Sequence, residues 1–345
     1  MEHRDSRPDI LLDARWLDTD GRRNVLGLAR VAQEVVRRLP PLDRLEGGLP
    51  LLHPAEPVWL TGVLLARRPR LFYSPGFNVP PTCPTPFVFT VFDLIHLHVP
   101  EISSASKRLY YRLLVKPSVR RARAVLTGSE YSRRQIIEWS GVDAERVVVI
   151  GCGVAAQFVP HGDAHQPGFP YLLHVGNMKP HKNIERLIRA FTRTEDRDVR
   201  LLLTGEPDLR LLYLAADEGL GDRLVFTGRV SDAQLARYYR GAVALIFPSL
   251  YEGFGLPPLE AMACGTPVVS STTTSLAEVV GDAAFPIDPL DVESITAGMD
   301  SVVRDDQLRR KLSALGLAQA GRFSWEQTAQ LTWQTLRRAL SKSSH

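Results

Sequence analysis

The sequence predicts an α/β protein made of two doubly wound domains, each with a parallel sheet. Short runs rich in Val, Ile and Leu alternate with segments of helical spacing, the pattern of parallel strands covered on both faces. The alternation is interrupted between Phe158 and Pro170, where Pro160, Gly162, Pro167, Gly168 and Pro170 stand among His161, Asp163 and His165. At 345 residues the chain is too long for one ordinary core and long enough for two. The domains are therefore expected at 1–165 and 166–324.

In the first half, strands are expected at 9–13, 70–74, 86–92, 124–128 and 146–150. A helix over 28–39 sets Val31, Val35, Val36 and Leu39 on one side. Another helix, from about 104 to 121, carries most of a basic stretch. In the second half the strands are 171–175, 199–204, 224–227, 243–247 and 267–270. Helical patterns fall at 183–192, 209–218, 232–240, 259–264 and 291–303, and a last helix runs from Trp325 to about Leu340.

Composition narrows the class. Apolar residues make up 44% and charged residues 23%, the balance of a soluble globular protein. The opening Met1-Glu2-His3-Arg4-Asp5 has no apolar h-region, and no apolar run reaches the ~18–20 residues that span a bilayer. Cys83, Cys152 and Cys264 are far apart and form no C-x-x-C pair, so reduced thiols in a cytoplasmic protein are expected. Residues 1–165 carry 22 Lys and Arg against 17 Asp and Glu, whereas the remainder carries 20 against 21. The densest basic stretch, 107–134, reads as a solvated helix face, or as a peripheral contact for an anionic membrane or a phosphate-bearing acceptor. Nucleic acid is not expected, since no aromatic interleaving or nucleic-acid motif accompanies the charge.

The most informative segment runs from Phe247 to Val269. It sets Glu252 and Glu260 between two apolar runs, with Gly253, Gly255, Pro257 and Pro258 between the acids. Those four residues are poor in a helix interior, so Glu252 is expected on a loop leaving a strand and Glu260 in the first turn of a short helix. Pro257 and Pro258 suit the start of that helix and Gly265 its end. Two acids then face one cleft beside a helix N-terminus that favours an anion. An anion seat, a diol acceptor and a group at the sugar are what a nucleotide-diphosphate sugar requires.

The motif Pro-Ser-x-x-Glu-Gly-Phe-Gly-Leu-Pro-x-x-Glu-Ala-Met-Ala-x-Gly-x-Pro-Val-Val closely resembles the E-x7-E region of glycosyltransferase family 4, whose members are retaining enzymes of GT-B fold. The resemblance extends from Asp13-Ala14-Arg15 to Phe323-Ser324-Trp325 and looks most like the mannosyltransferase-type branch. It implies two Rossmann-like domains whose parallel sheets face each other across a cleft, with the terminal helix 325–342 crossing back onto the first. It implies transfer from a nucleotide-diphosphate sugar, with GDP-mannose the first expectation and a UDP-sugar the second. The acceptor would be a glycan, a lipid-linked saccharide or a small molecule. Rival readings are a phosphorylase or epimerase of the same fold, or a catalytically weak nucleotide-binding partner subunit.

By the resemblance, Glu252 sits near the transferred sugar, Glu260 binds the ribose hydroxyls, and Lys182 meets the diphosphate. The second phosphate-binding cation is left open between Lys179 and His181. The backbone of Gly253, Phe254, Gly255 and Leu256 would line the pocket, Gly228-Arg229-Val230 would frame the base, and Gly27 would open a diphosphate-facing loop. Asp93 is the acceptor-side candidate, because Phe92 stands where many relatives have an active-site histidine. No cluster has metal-ligand spacing, so neither metal nor cofactor is expected. Charge on the leaving group would be met by Lys182, the helix N-terminus and main-chain N–H groups.

Overall fold

The computed structural model describes residues 9–17, 26–78, 80 and 82–341. Contacts divide the chain into one unit of Met1–Gly153 with Trp325–His345 and a second of Val154–Ser324. The division falls earlier than residue 165 because the breaker-rich stretch is tied into the second unit. Phe158 is buried against Tyr239, and the Arg240 guanidinium donates to the carbonyls of Val159 and Asp163.

In the first unit, β1 (Ile10–Asp13), β2 (Asp43–Leu45), β3 (Leu71–Ser74), β4 (Phe87–Thr90), β5 (Ala124–Thr127) and β6 (Val147–Val149) form one sheet. Its order is β2-β1-β3-β4-β5-β6, with every pair parallel. Every residue of β1, β3, β4 and β5 is buried, which is why these strands read as unbroken apolar runs. The first helix is Leu26–Val36, and the basic segment is Ala105–Tyr110, a π turn at Tyr111–Val115 and Lys116–Arg121. The terminal helix Trp325–Ser341 packs on Leu26–Val36 and on β3, β4 and β5. It buries Trp325, Leu336 and Ala339, and its Glu326 pairs with Arg38 at 2.7 Å.

In the second unit, β7 (Tyr171–His174), β8 (Arg200–Leu203), β9 (Leu224–Phe226), β10 (Ala244–Phe247), β11 (Val268–Ser271) and β12 (Phe285–Ile287) are again all parallel. Their order is β12-β11-β10-β7-β8-β9. The helix Ile184–Thr192 shows how the faces are covered. Ile184, Leu187, Ile188 and Phe191 recur at helical spacing and are all buried, at about 1.5–3 kcal/mol each. From β7 the chain winds outward through β8 and β9, then returns to add β10, β11 and β12 on the other side. The winding reverses between β7 and β10, and in such sheets ligands bind beyond the carboxyl ends at that switch point.

Candidate active site

The loops that leave β7 and β10 meet at this switch point. After β7 the chain makes a 3-10 turn, Pro180–Lys182, and Asn183 adopts a left-handed conformation. The Asn183 amide donates to the carbonyls of Pro248 and Pro289, and Leu250 N donates to His181 O at 2.8 Å. These bonds fasten the turn to the end of β10. They bring Lys182 Nζ to 2.6 Å from Glu252 Oε1, with side chains only 9% and 13% exposed. The same ammonium lies 4.9 Å from the centre of the Phe247 ring. Glu252, one of the two acids read from the sequence, and Lys182, the cation that the resemblance singles out, are therefore one ion pair.

The Glu252 loop is held from beneath by the segment after β11. Glu252 N donates to Thr274 Oγ1 at 3.2 Å, and Ser275 Oγ lies 2.8 and 2.9 Å from the carbonyl oxygens of Glu252 and Phe254. Phe254 turns its ring into the core, edge-on to Phe323 at 5.8 Å, so any ligand contact of this residue falls to its main chain. Gly253 is buried and Leu256 half-buried. Gly255 has φ +123°, and a Cβ there would lie 2.7 Å from Leu276 Cδ2, so only glycine fits.

The following helix is Leu256–Ala263, which starts earlier than expected and puts Glu260 in the second turn rather than the first. Pro257 and Pro258 fit inside the first turn because its N–H groups have no intrahelical partner anyway. They also remove two of the donors that such a terminus offers an anion, which leaves Leu256 as the first-turn amide that retains its proton. Glu260 is only 4% exposed, and its Oε2 accepts from Tyr239 OH at 3.1 Å. Around Lys182, Lys179 is exposed, whereas His181 is buried. Arg229 is largely exposed and lies 3.7 Å from Glu206.

Behind Lys182 stands His174, the last residue of β7. It is fully buried, its ring stacks on Phe247 with centroids 6.0 Å apart, and its Nδ1 lies 3.0 Å from Ile246 O. Burial, offset in part by that carbonyl and reinforced by the Lys182 charge, pushes its pKa down to about 4. Sequence reading missed His174, Phe247, Tyr239, Thr274 and Ser275. Each acts through a partner distant in the chain, so local spacing carried no signal.

Comparison with known proteins fits this geometry. The family described as "Glycosyl transferases group 1" matches residues 161–317, and the one described as "Glycosyl transferase 4-like domain" matches residues 4–153. The O-antigen chain mannosyltransferase B of Escherichia coli is 35% identical over 294 residues, covering 80% of this chain and 75% of that protein. The chain belongs to glycosyltransferase family 4. It is also 35% identical over 243 residues to the serotype-specific mannosyltransferase WbdA of Escherichia coli, which covers 65% of this chain and only 30% of WbdA.

This glycosyltransferase shares its GT-B fold with sucrose-phosphate synthase (tll1590) from Thermosynechococcus elongatus, at TM-score 0.79 and 22% identity over 97% of this chain and 100% of that one. Anabaena Alr3699/HepE, crystallised with UDP and glucose, matches at TM-score 0.78 and 19% identity over 96% and 100%. Among the described residues no three His, Cys, Asp or Glu stand grouped to hold a metal, and no helix is long and apolar enough to cross a membrane.

The remaining candidates of this glycosyltransferase lie in the first unit. Asp93, half-buried after β4, accepts at 2.9 Å from the N–H of Ile95, the first residue of the short helix Ile95–His98. Phe92 lies against Gly128, where a Cβ would come within 2.7 Å of its ring. Gly27 is exposed within the helix Leu26–Val36, not in a loop before it, and the residues 18–25 that precede that helix lie outside the described set. At the switch point of this sheet, between β1 and β3, sits a buried network instead. Arg15 NH2 is 2.6 Å from Asp13 Oδ2 and 2.8 Å from Glu56 Oε1, and the Asn78 amide donates to the same two oxygens at 3.2 and 2.9 Å. One guanidinium thus serves two carboxylates inside the fold, which satisfies both acids and accounts for the Asp-Ala-Arg opening structurally.

Proposed function

We propose that this glycosyltransferase moves a hexosyl group, mannose in the first instance, from a nucleoside-diphosphate sugar to a growing glycan with retention at the anomeric carbon. The observation that carries the reading is the meeting of Lys182 and Glu252 at the second sheet's switch point. Lys182 would neutralise the donor diphosphate. One such contact at ~4 Å contributes about 4 kcal/mol before desolvation at an effective dielectric near 20. Glu252 would hold the hydroxyls of the transferred sugar, and Glu260, steadied by Tyr239, would present its carboxylate to the ribose. The names of the relatives support mannose and a polysaccharide acceptor, and the UDP held by the Anabaena protein supports a nucleotide-sugar donor. GDP-mannose stays the first donor and a UDP-sugar the second. The relatives are transferases, so phosphorylase, epimerase and partner-subunit readings are not favoured.

In the reaction, the bond from C1 to the donor phosphate breaks and the bond from C1 to the acceptor oxygen forms on the same face. The departing phosphate oxygen takes the acceptor proton. Leaving-group charge falls on Lys182 and on main-chain N–H groups, so no metal is needed. The basic stretch 107–134, where Leu109 and Leu113 are exposed beside Lys107, Arg108 and Arg112, suits peripheral contact with an anionic membrane on its cytoplasmic side.

A thermal-shift screen against GDP-, UDP- and TDP-sugars tests the donor, and proton NMR of the first-formed product tests retention. Lys182→Ala is expected to raise the dissociation constant for the nucleoside diphosphate at least tenfold, and an unchanged constant would remove Lys182 from the site. Turnover should survive EDTA; loss restored by Mn²⁺ would overturn the metal-free account.

A further inference from the structure

Lys182 has a second neighbour whose chemistry the ion pair does not use. The partner of His174 Nδ1 is a carbonyl oxygen, which only accepts, so Nδ1 carries the proton. The ring is neutral, which leaves Nε2 as a bare acceptor. That nitrogen is fully buried and has no hydrogen-bond partner among the described residues. It faces the space above Gly176: a Cβ built there would lie 3.7 Å from His174 Nε2 and 3.3 Å from Lys182 Cε. The imidazole and the ammonium also share the Phe247 ring. An unfilled acceptor and a buried cation thus border one small space that only a glycine leaves open.

We propose that His174 is a positioning residue for Lys182: its Nε2 accepts an ammonium N–H when Lys182 leaves Glu252 for the donor diphosphate. This rests on the reading that Lys182 meets that diphosphate. In the structure Glu252 occupies the cation, so a donor must take Lys182 from it before Glu252 can serve sugar hydroxyls. An ammonium has three N–H groups, and in a pocket this dry each needs an acceptor. His174 supplies one without a charge that would hold Lys182 back or repel the phosphate. A carboxylate in its place would compete as Glu252 does. The Nδ1–H bond to Ile246 O fixes the ring so that Nε2 keeps its direction.

The test is a double-mutant cycle on the full chain, with binding of GDP and UDP followed by calorimetry and folding by melting temperature. His174→Phe keeps the ring and removes the acceptor. His174→Leu, which has no polar atom, gives a second acceptor-free variant should the first fail to fold. His174→Gln returns an acceptor oxygen near the place of Nε2. The acceptor-free variants are expected to weaken nucleotide binding about tenfold in the presence of Lys182, with Gln recovering most of it, and to add nothing in a Lys182→Ala background. Equal weakening in both backgrounds, or none in either, would overturn the positioning role. Undiminished nucleotide binding by Lys182→Ala alone would instead sink the functional reading beneath it.

Discussion

The Lys182 ammonium and the Glu252 carboxylate, 2.6 Å apart, come from opposite sides of the point where the second sheet reverses its winding. Each is the residue the other must give up when a donor arrives. Removing one partner of a buried pair leaves an uncompensated charge at about 3–5 kcal/mol, so neutral isosteres are the informative substitutions.

Glu252→Gln should reduce transfer by at least about a hundredfold, through loss of the charge that meets the sugar. Nucleoside-diphosphate binding should hold or tighten, since Lys182 is no longer claimed by an anion. Initial rates alongside calorimetry read both effects, and a variant that transfers at the parental rate would remove Glu252 from the chemistry.

Tyr239→Phe removes the hydroxyl that donates to the buried Glu260 Oε2. A cost of about 1–3 kcal/mol is expected in stability, with a several-fold rise in the KM for donor. Unchanged KM with lowered melting temperature would confine Tyr239 to a structural role.

Gly255→Ala forces a Cβ onto Leu276 at a φ that L-residues avoid. A loss of about 1–3 kcal/mol follows, seen as a fall of roughly 2–12 °C in melting temperature. Since the strain sits at the junction of the loop and helix bearing the two acids, donor affinity should fall with it. A variant that melts with the parent would show that this junction relaxes freely.

His174 links stability to pH. Its pKa is about 4 in the fold against 6.5 for an ordinary histidine. Between those values the unfolded chain binds a proton that the folded chain refuses, so stability rises with pH across that window. The contribution is complete above about pH 6.5 and is lost as pH falls towards 4, by about 3 kcal/mol in all. Urea melts at pH 7, 5.5 and 4.5 should show the decline, and His174→Phe should flatten that part of it. An equal slope in the variant would assign the effect elsewhere.

Much of the architecture was written locally. The fully buried strands β1, β4, β7 and β10 read directly as apolar runs, and Ile184–Thr192 as an amphipathic helix. The edge strands β2 and β12 did not. Asp43 and Arg44 are exposed, and Pro286 interrupts Phe285–Ile287, as edges tolerate and centres do not. The π turn at Tyr111–Val115 has no marker in its residues. In the site, glycine and proline punctuation located Glu252 and Glu260, and the resemblance to the family singled out Lys182. That Lys182 and Glu252 pair, and that His174 and Tyr239 stand behind them, depends on strand order and packing, which no window of sequence contains.

The helix Trp325–Ser341 is made after the entire second unit, yet its buried Trp325 and Leu336 close the interior of the first. During synthesis the amino-terminal sheet must therefore wait, its apolar surface uncovered, while the later unit emerges and condenses from contiguous chain. A lesion in those last turns would accordingly register as failed maturation of the opposite end of the polypeptide, and chaperone dependence should concentrate there.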